Sequence, residues 1–225
     1  MINPTAERVQ CGFDFAPRAA LYHSPYVPHG AWLAEPLEAV HGQPPARLRP
    51  WLLYPGSLTA ALKQESRGCL AVRVLSQSWR RPAQEERRTL GLRPRQLALV
   101  REVLLCGSGV PWVYARSVLP MRSLQGKSRY LRSLDDRPLG ELLFCEADMR
   151  RGPILLNQLR RNPDCRLAEL EDAGDSAWGR RSTFWLRDKP LLVAETFLSS
   201  FRPAGPPCTG AAGQQPSDIK LGETE

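Results

Sequence analysis

Three stretches in the middle of the chain, CLAVRVLSQSW, LALVREVLLC and VPWVYARSVLP, carry apolar residues in the short runs and alternations of β-strands. Gly107-Ser108-Gly109 separates the last two and supplies the tight turn of an antiparallel hairpin. RRSTFWLRDKPLLVAETFL repeats that design toward the C-terminus, with Arg187-Asp188-Lys189-Pro190 at its turn. Helical patterning lies between and before the strands. In SLTAALKQ, Ser57 is placed to cap a short helix with Leu58, Ala61 and Leu62 on its apolar stripe. RYLRSLDD and RPLGELLF read as two helical segments split by Pro138, with Leu139 opening the second, and PILLNQLRR reads as a further helix. Strands arriving in hairpins, with helices between them, predict an α+β fold on an antiparallel sheet rather than a doubly wound parallel one.

Two charges interrupt these strands. Side chains alternate faces, so Arg101 shares its face with Leu97, Leu99, Val103 and Leu105, and Glu195 shares its face with Leu191, Val193 and Phe197. An ionised group pointing into such surroundings costs several kcal/mol, of the order of a domain's whole stability, unless an opposite charge or a ligand meets it. Two readings are open at this level. Arg101 and Glu195 form a core ion pair, or they face an internal cavity in which Arg101 grips a carboxylate and Glu195 accepts from a hydroxyl.

Composition narrows the choice. The 225 residues suffice for one generous domain, expected over residues 48–202. Residues 1–47, broken by Pro25, Pro28, Pro36, Pro44 and Pro45, are expected to form a mobile leader without packed elements, and 203–225 a disordered tail. No apolar run is long enough to span a bilayer and no secretory signal opens the chain, so a cytoplasmic protein is expected. Cys11, Cys69, Cys106, Cys145, Cys165 and Cys208 are scattered singly, as reduced thiols would be, with no metal-ligand spacing. The net charge of +8 favours anionic partners, but its arginine doublets are dispersed and no nucleic-acid-binding signature accompanies them. Nucleic acid is therefore not the expected partner.

Familiar catalytic motifs are missing. The chain holds no GxSxG elbow, no GxxxxGK[ST] loop and no GxGxxG turn. Its histidines, His23, His29 and His41, all fall in the leader, which removes a histidine-based triad or metal centre from the core. What remains is a pair of charges suited to a small anion that carries a hydroxyl.

REVLLCGSGVPWVYARSVLP, RPLGELLF and WGRRSTFWLRDKPLLVAETFL occur in an order and at a spacing that resemble the chorismate pyruvate-lyase family, from about Trp51 to Phe201. The resemblance implies a six-stranded antiparallel sheet with a buried ligand cavity closed by helical flaps. It implies an enzyme that splits chorismate into 4-hydroxybenzoate and pyruvate without metal or cofactor, opening ubiquinone synthesis, and we expect it to act as a monomer. Arg101 would hold the ring carboxylate and Glu195 the ring hydroxyl, so the two should not touch. Leu139 would add a backbone contact to the carboxylate from a helix start, a suitable anion site, and so would Leu58, where the family has a methionine. Arg180 or Arg181 is a candidate for the enolpyruvyl carboxylate; being adjacent on a strand, at most one can face the cavity. MRRGPILLNQLRRNPDCRLAELEDAGD is longer than the family pattern, and the leader is an addition. The alternative from a different class is a small-molecule-sensing domain of a transcription regulator, which shares the fold without catalysis.

Overall fold

Both predicted hairpins form, each through a two-residue turn. A computed structural model describes residues 24–34, 42–163, 165 and 176–208. Strands β3 (Ala98–Gly107) and β4 (Val110–Pro120) are joined by Ser108 and Gly109, and β7 (Ser176–Leu186) and β8 (Lys189–Phe197) by Arg187 and Asp188. All four turn residues have positive φ, the geometry that matches the twist of paired strands. Ahead of them run β1 (Tyr26–Pro28), helix α1 (Arg49–Leu52), helix α2 (Leu58–Glu65), β2 (Leu70–Arg80) and helix α3 (Gln84–Thr89). Between β4 and β7 lie two 3₁₀ turns (Met121–Leu124 and Gly126–Arg132), helix α4 (Leu139–Phe144), β5 (Met149–Arg151) and β6 (Leu155–Arg161). The strands form one antiparallel sheet in the order β1-β6-β7-β8-β4-β3-β2, with β5 pairing the other half of the β7 edge.

The class is α+β, as expected, but the sheet has eight strands rather than six. The additions come from segments read differently in the sequence. PILLNQLRR contributes β6, not a helix. Leu156 and Leu159 lie three apart and look like one helical stripe, yet on the strand they enter separate cores on opposite faces of the sheet. A short apolar run buried on both sides has no period that separates strand from helix. Part of the supposed leader also packs: Tyr26–Pro28 pairs with β6, and Tyr26 is buried beside the ring of Tyr114. Pro28 is tolerated because β1 is an edge strand. The start of the supposed tail is held as well, with Trp51 Nε1 donating to Gly205 O (2.8 Å) and Ala204 N to Glu65 Oε1 (2.8 Å). Leu97 precedes β3 and is exposed rather than sharing Arg101's buried face. His23, His41 and the remainder of both tails lie outside the described residues.

Each face of the sheet has its own cover. On the inner face, Trp51, Leu52, Leu58 and Leu62 of α1 and α2 pack on Val103, Val113, Trp178 and Phe197. The 3₁₀ turns and α4 bring Leu124, Leu131, Leu139 and Leu143 onto Leu99, Leu119, Phe184 and Leu191. The outer face buries Leu104, Tyr114 and Leu159 with Tyr26, and Val100, Val118 and Leu192 with Leu90 and Leu92 beyond α3. Burying both faces explains why charged residues inside these strands cannot reach bulk water on either side.

The outer face holds a network of such charges. Glu102 is fully buried and accepts from Arg116 Nη1 (2.8 Å), Ser76 Oγ (3.2 Å), Tyr114 Oη and Arg80 Nη2. Glu86, at the start of α3, accepts from Arg116 Nε (2.7 Å) and Nη2 (3.0 Å) and from the Ala83 amide (2.8 Å). Burial pushes the Glu86 carboxyl up. The hydrogen bonds and charge of Arg116, the Ala83 amide and the charge of Arg181 more than offset it, holding the group below its ordinary 4.5. A depressed carboxyl stabilises the fold above its unfolded pKa, and that contribution disappears as pH falls through the lower folded value. Resistance to denaturant should therefore decline below about pH 4.5. The gap between wild type and Glu86→Gln should be widest at neutral pH and narrow progressively as the pH falls below the carboxyl's ordinary 4.5; a gap independent of pH would contradict this account.

Candidate functional site

Strand register decides what faces the inner cover. Arg101 pairs across β3–β4 with Ser117, Ala115 pairs with Glu195 across β4–β8, and Glu195 pairs with Arg180 across β8–β7. All five residues of that path point inward. Arg101 and Glu195 thus stand two strands and one side-chain row apart, about 12 Å between Cα atoms from sheet spacing. They line one cavity together with Thr59, Val103, Leu105, Ala115, Ser117, Pro138, Leu139, Gly140 and Val193. The core ion pair left open by the sequence does not form: Glu195 bonds to Arg180 and Arg101 to uncharged acceptors.

Arg101 is 2% exposed. Its Nη1 donates to Gln77 Oε1 (3.0 Å) and Asp135 O (2.8 Å), and its Nη2 to Arg137 O (3.1 Å). A guanidinium has five N–H groups, so two remain without an acceptor among the described residues. Burial lowers the Arg101 pKa, against the pull of Asp135 and Asp136, but a guanidinium so placed keeps its charge. The site at this end is a fixed cation with donors to spare, suited to a carboxylate.

The opposite end is built on Arg180, 2% exposed. Its Nε donates to Glu195 Oε2 (2.6 Å), and its Nη1 to Tyr54 O (2.7 Å) and Trp51 O (3.2 Å). One arginine fixes the carboxylate's orientation and ties it to α1 and to the segment that follows it. Glu195 Oε1 has no donor among the described residues and is free to accept from a ligand hydroxyl. The neighbouring Arg181 points to the outer face, where it pairs with Glu85 and lies over the Trp32 ring (4.6 Å). The doublet thus divides between two faces, as strand alternation requires.

Helix starts complete the enclosure. Ser57 caps α2 by accepting from Ala60 N (3.3 Å), which leaves the amides of Leu58 and Thr59 without intrahelical partners. Leu139 opens α4 after Pro138, in the same unsatisfied position. The two first turns meet where a side chain on Gly140 would come within 3.2 Å of Thr59 Oγ1. Of the four residues singled out in the sequence, Arg101, Leu139 and Glu195 line the cavity; Leu58 turns its side chain into the core beside it, and Thr59 takes the lining position. Among the described residues no cluster of His, Cys, Asp and Glu side chains is arranged to hold a metal ion.

The family profile for chorismate lyase matches residues 33–202. The chain belongs to the chorismate lyase family. It is 41% identical to the "Probable chorismate pyruvate-lyase" of Aromatoleum aromaticum over 76% of this chain and 94% of that protein. It is 42% identical to the protein of the same description from Marinobacter nauticus, over 71% of this chain and 78% of that one. Among solved structures it is similar to the effector domain of PhnF from Mycobacterium smegmatis, with 18% identity and a TM-score of 0.49 over 64% of this chain and 89% of that one. A likeness at that level says nothing of activity. No helix among the described residues is long and apolar enough to cross a membrane.

Breaking the Arg180–Glu195 pair from one side leaves a buried charge alone. Arg180→Met should cost about 3–5 kcal/mol, and adding Glu195→Gln to it should recover a large part of that loss. Equilibrium unfolding of the two single variants and the double variant measures the coupling, and additive losses would show that the pair is not compensating buried charge.

Proposed function

We propose that this chain converts chorismate into 4-hydroxybenzoate and pyruvate. The observation that carries the reading is the two-ended cavity: Arg101 with unused donors at one end and Glu195 with an unused carboxylate oxygen at the other. Chorismate presents a ring carboxylate and, across the ring, a hydroxyl. In this reading Arg101 and the first-turn amides of α2 and α4, at Leu58 and Leu139, hold the carboxylate, and Glu195 orients the hydroxyl. Val103, Leu105, Ala115 and Val193 supply apolar walls for the ring.

The chemistry asks little of the protein beyond this. The hydroxyl-bearing carbon loses its proton, the neighbouring carbon–oxygen bond breaks, and the ring becomes aromatic. The electrons of the broken bond leave with enolpyruvate, which takes up a proton to become pyruvate. Aromatisation drives the reaction, so holding the substrate in a reactive geometry supplies much of the catalysis, and fixed positive charge steadies the departing enolpyruvate. No electron acceptor enters the balance, and we propose that the reaction proceeds without cofactor or metal. The product suits a role at the start of ubiquinone synthesis.

Incubating the purified protein with chorismate in chelator-containing buffer should give equal amounts of 4-hydroxybenzoate and pyruvate; chorismate bound but unchanged would point to a sensing domain instead. Arg101→Ala should lower kcat/KM by roughly 10- to 10²-fold, the scale of a lost charge-assisted hydrogen bond in a buried site. Glu195→Gln keeps a hydrogen-bonding group and removes its charge, so a rate equal to wild type would limit Glu195 to hydrogen bonding.

A further inference from the structure

Beside the Glu195 end stands a second cation that the two-ended reading does not use. Arg151 closes β5, next to Phe184 across the strand pair, with its guanidinium 5.3 Å over that ring. Its Nε donates to Ser182 Oγ (3.0 Å) and its Nη1 to Pro55 O (2.9 Å) and Tyr54 O (3.4 Å). Tyr54 O is also the acceptor of Arg180 Nη1 at 2.7 Å. Two guanidinium groups thus share one carbonyl oxygen, with a single carboxylate, Glu195, between them in the charge balance. Arg180 has that carboxylate at 2.6 Å; Arg151 forms no ion pair among the described residues. Both leave their Nη2 groups without an acceptor there. The imbalance is felt by Arg151, whose pKa falls to about 10 through burial and the neighbouring Arg180, against the attraction of Glu195.

We infer that Arg151, with the free Nη2 of Arg180, forms the subsite for the substrate's second carboxylate, the one on the enolpyruvyl group. This deepens the proposed chorismate reading and rests on it. The enolpyruvyl ether sits on the ring carbon beside the hydroxyl-bearing one, so once Glu195 fixes the hydroxyl, the second carboxylate must lie at this end. The buried charges agree: Arg101 in the cavity wall and Arg180 and Arg151 beside it, against Glu195, leave two positive charges to match a dianion, while Asp135 and Asp136 near Arg101 are exposed to solvent. The carboxylate would accept from the two Nη2 groups, leaving the carbonyls of Trp51, Tyr54 and Pro55 on the Nη1 groups that hold both arginines in place. Arg151 thereby becomes a specificity residue that separates chorismate, with two carboxylates, from 4-hydroxybenzoate, with one.

Titrations of chorismate and of 4-hydroxybenzoate onto Arg151→Gln read this directly. Binding of chorismate and kcat/KM should weaken at least about ten-fold, the scale of a charged hydrogen bond, while 4-hydroxybenzoate binding changes less than about three-fold. Arg151→Lys keeps the charge without the fork and should lose less, again only toward chorismate; it serves equally if the glutamine variant does not fold. Equal losses for both ligands would make Arg151 a purely structural support, and no loss for chorismate would remove it from the site; either overturns the inference. If wild type binds chorismate without turning it over, yet the variants show the selective loss, the proposed reaction fails and the dianion subsite stands.

Discussion

The structure is organised around guanidinium groups that cannot reach water. Arg101 and Arg180 project from a sheet covered on both faces, and each is almost fully buried. A bare cation there would cost several kcal/mol. The chain meets that cost with one carboxylate and a set of backbone carbonyls: Asp135 and Arg137 for Arg101, Trp51 and Tyr54 for Arg180. Those carbonyls belong to the segments that lead into α4 and α2. The position of both helices is therefore a consequence of satisfying charge beneath them, and the cavity lies where two cations and two helix starts converge.

Charge compensation also divides the sheet. Arg101 and Glu102 are consecutive, as are Arg180 and Arg181, and alternation sends one of each pair to either face. The inner set is left with donors and one carboxylate oxygen unspent. The outer carboxylates Glu102 and Glu86 are instead fully engaged, both bonded to Arg116, with Arg80 and Tyr114 completing Glu102, although the buried Nε of Arg181 on the same face finds no partner among the described residues. The two faces thus differ in how far their carboxylates are engaged: Glu195 keeps one oxygen without a donor among the described residues, while Glu102 and Glu86 bond through both.

The hairpins and the inward direction of Arg101 and Glu195 were legible because they depend on period two and on turn residues adjacent in sequence. Their shared cavity follows from register across β4, which alternation alone does not specify; the resemblance of the WGRRS and KPLL segments to a known family carried that step. Arg180 was legible only as one of two candidates, because choosing between neighbours requires knowing which faces Glu195 across β7–β8. Glu102 and Arg151 were missed. Glu102 is closed in by Ser76 and Arg80 of β2 and Tyr114 and Arg116 of β4, a convergence that depends on the register of three strands, and Arg151 lies in a three-residue strand defined only by its partner on β7. PILLNQLRR was misread because an apolar run covered on both faces loses its period, and Tyr26–Pro28 because a three-residue edge strand shows none.

The carbonyls that satisfy the inner arginines have a kinetic meaning. Arg101 holds the segment before α4, and Arg180 and Arg151 hold the segment before α2, through six hydrogen bonds to backbone oxygens in all. The cover cannot lift from the cavity unless some of these bonds break while the charges beneath are still dry. A ligand enclosed beneath this cover would thus leave only after an enthalpic step, and its residence time should shorten steeply as the temperature rises.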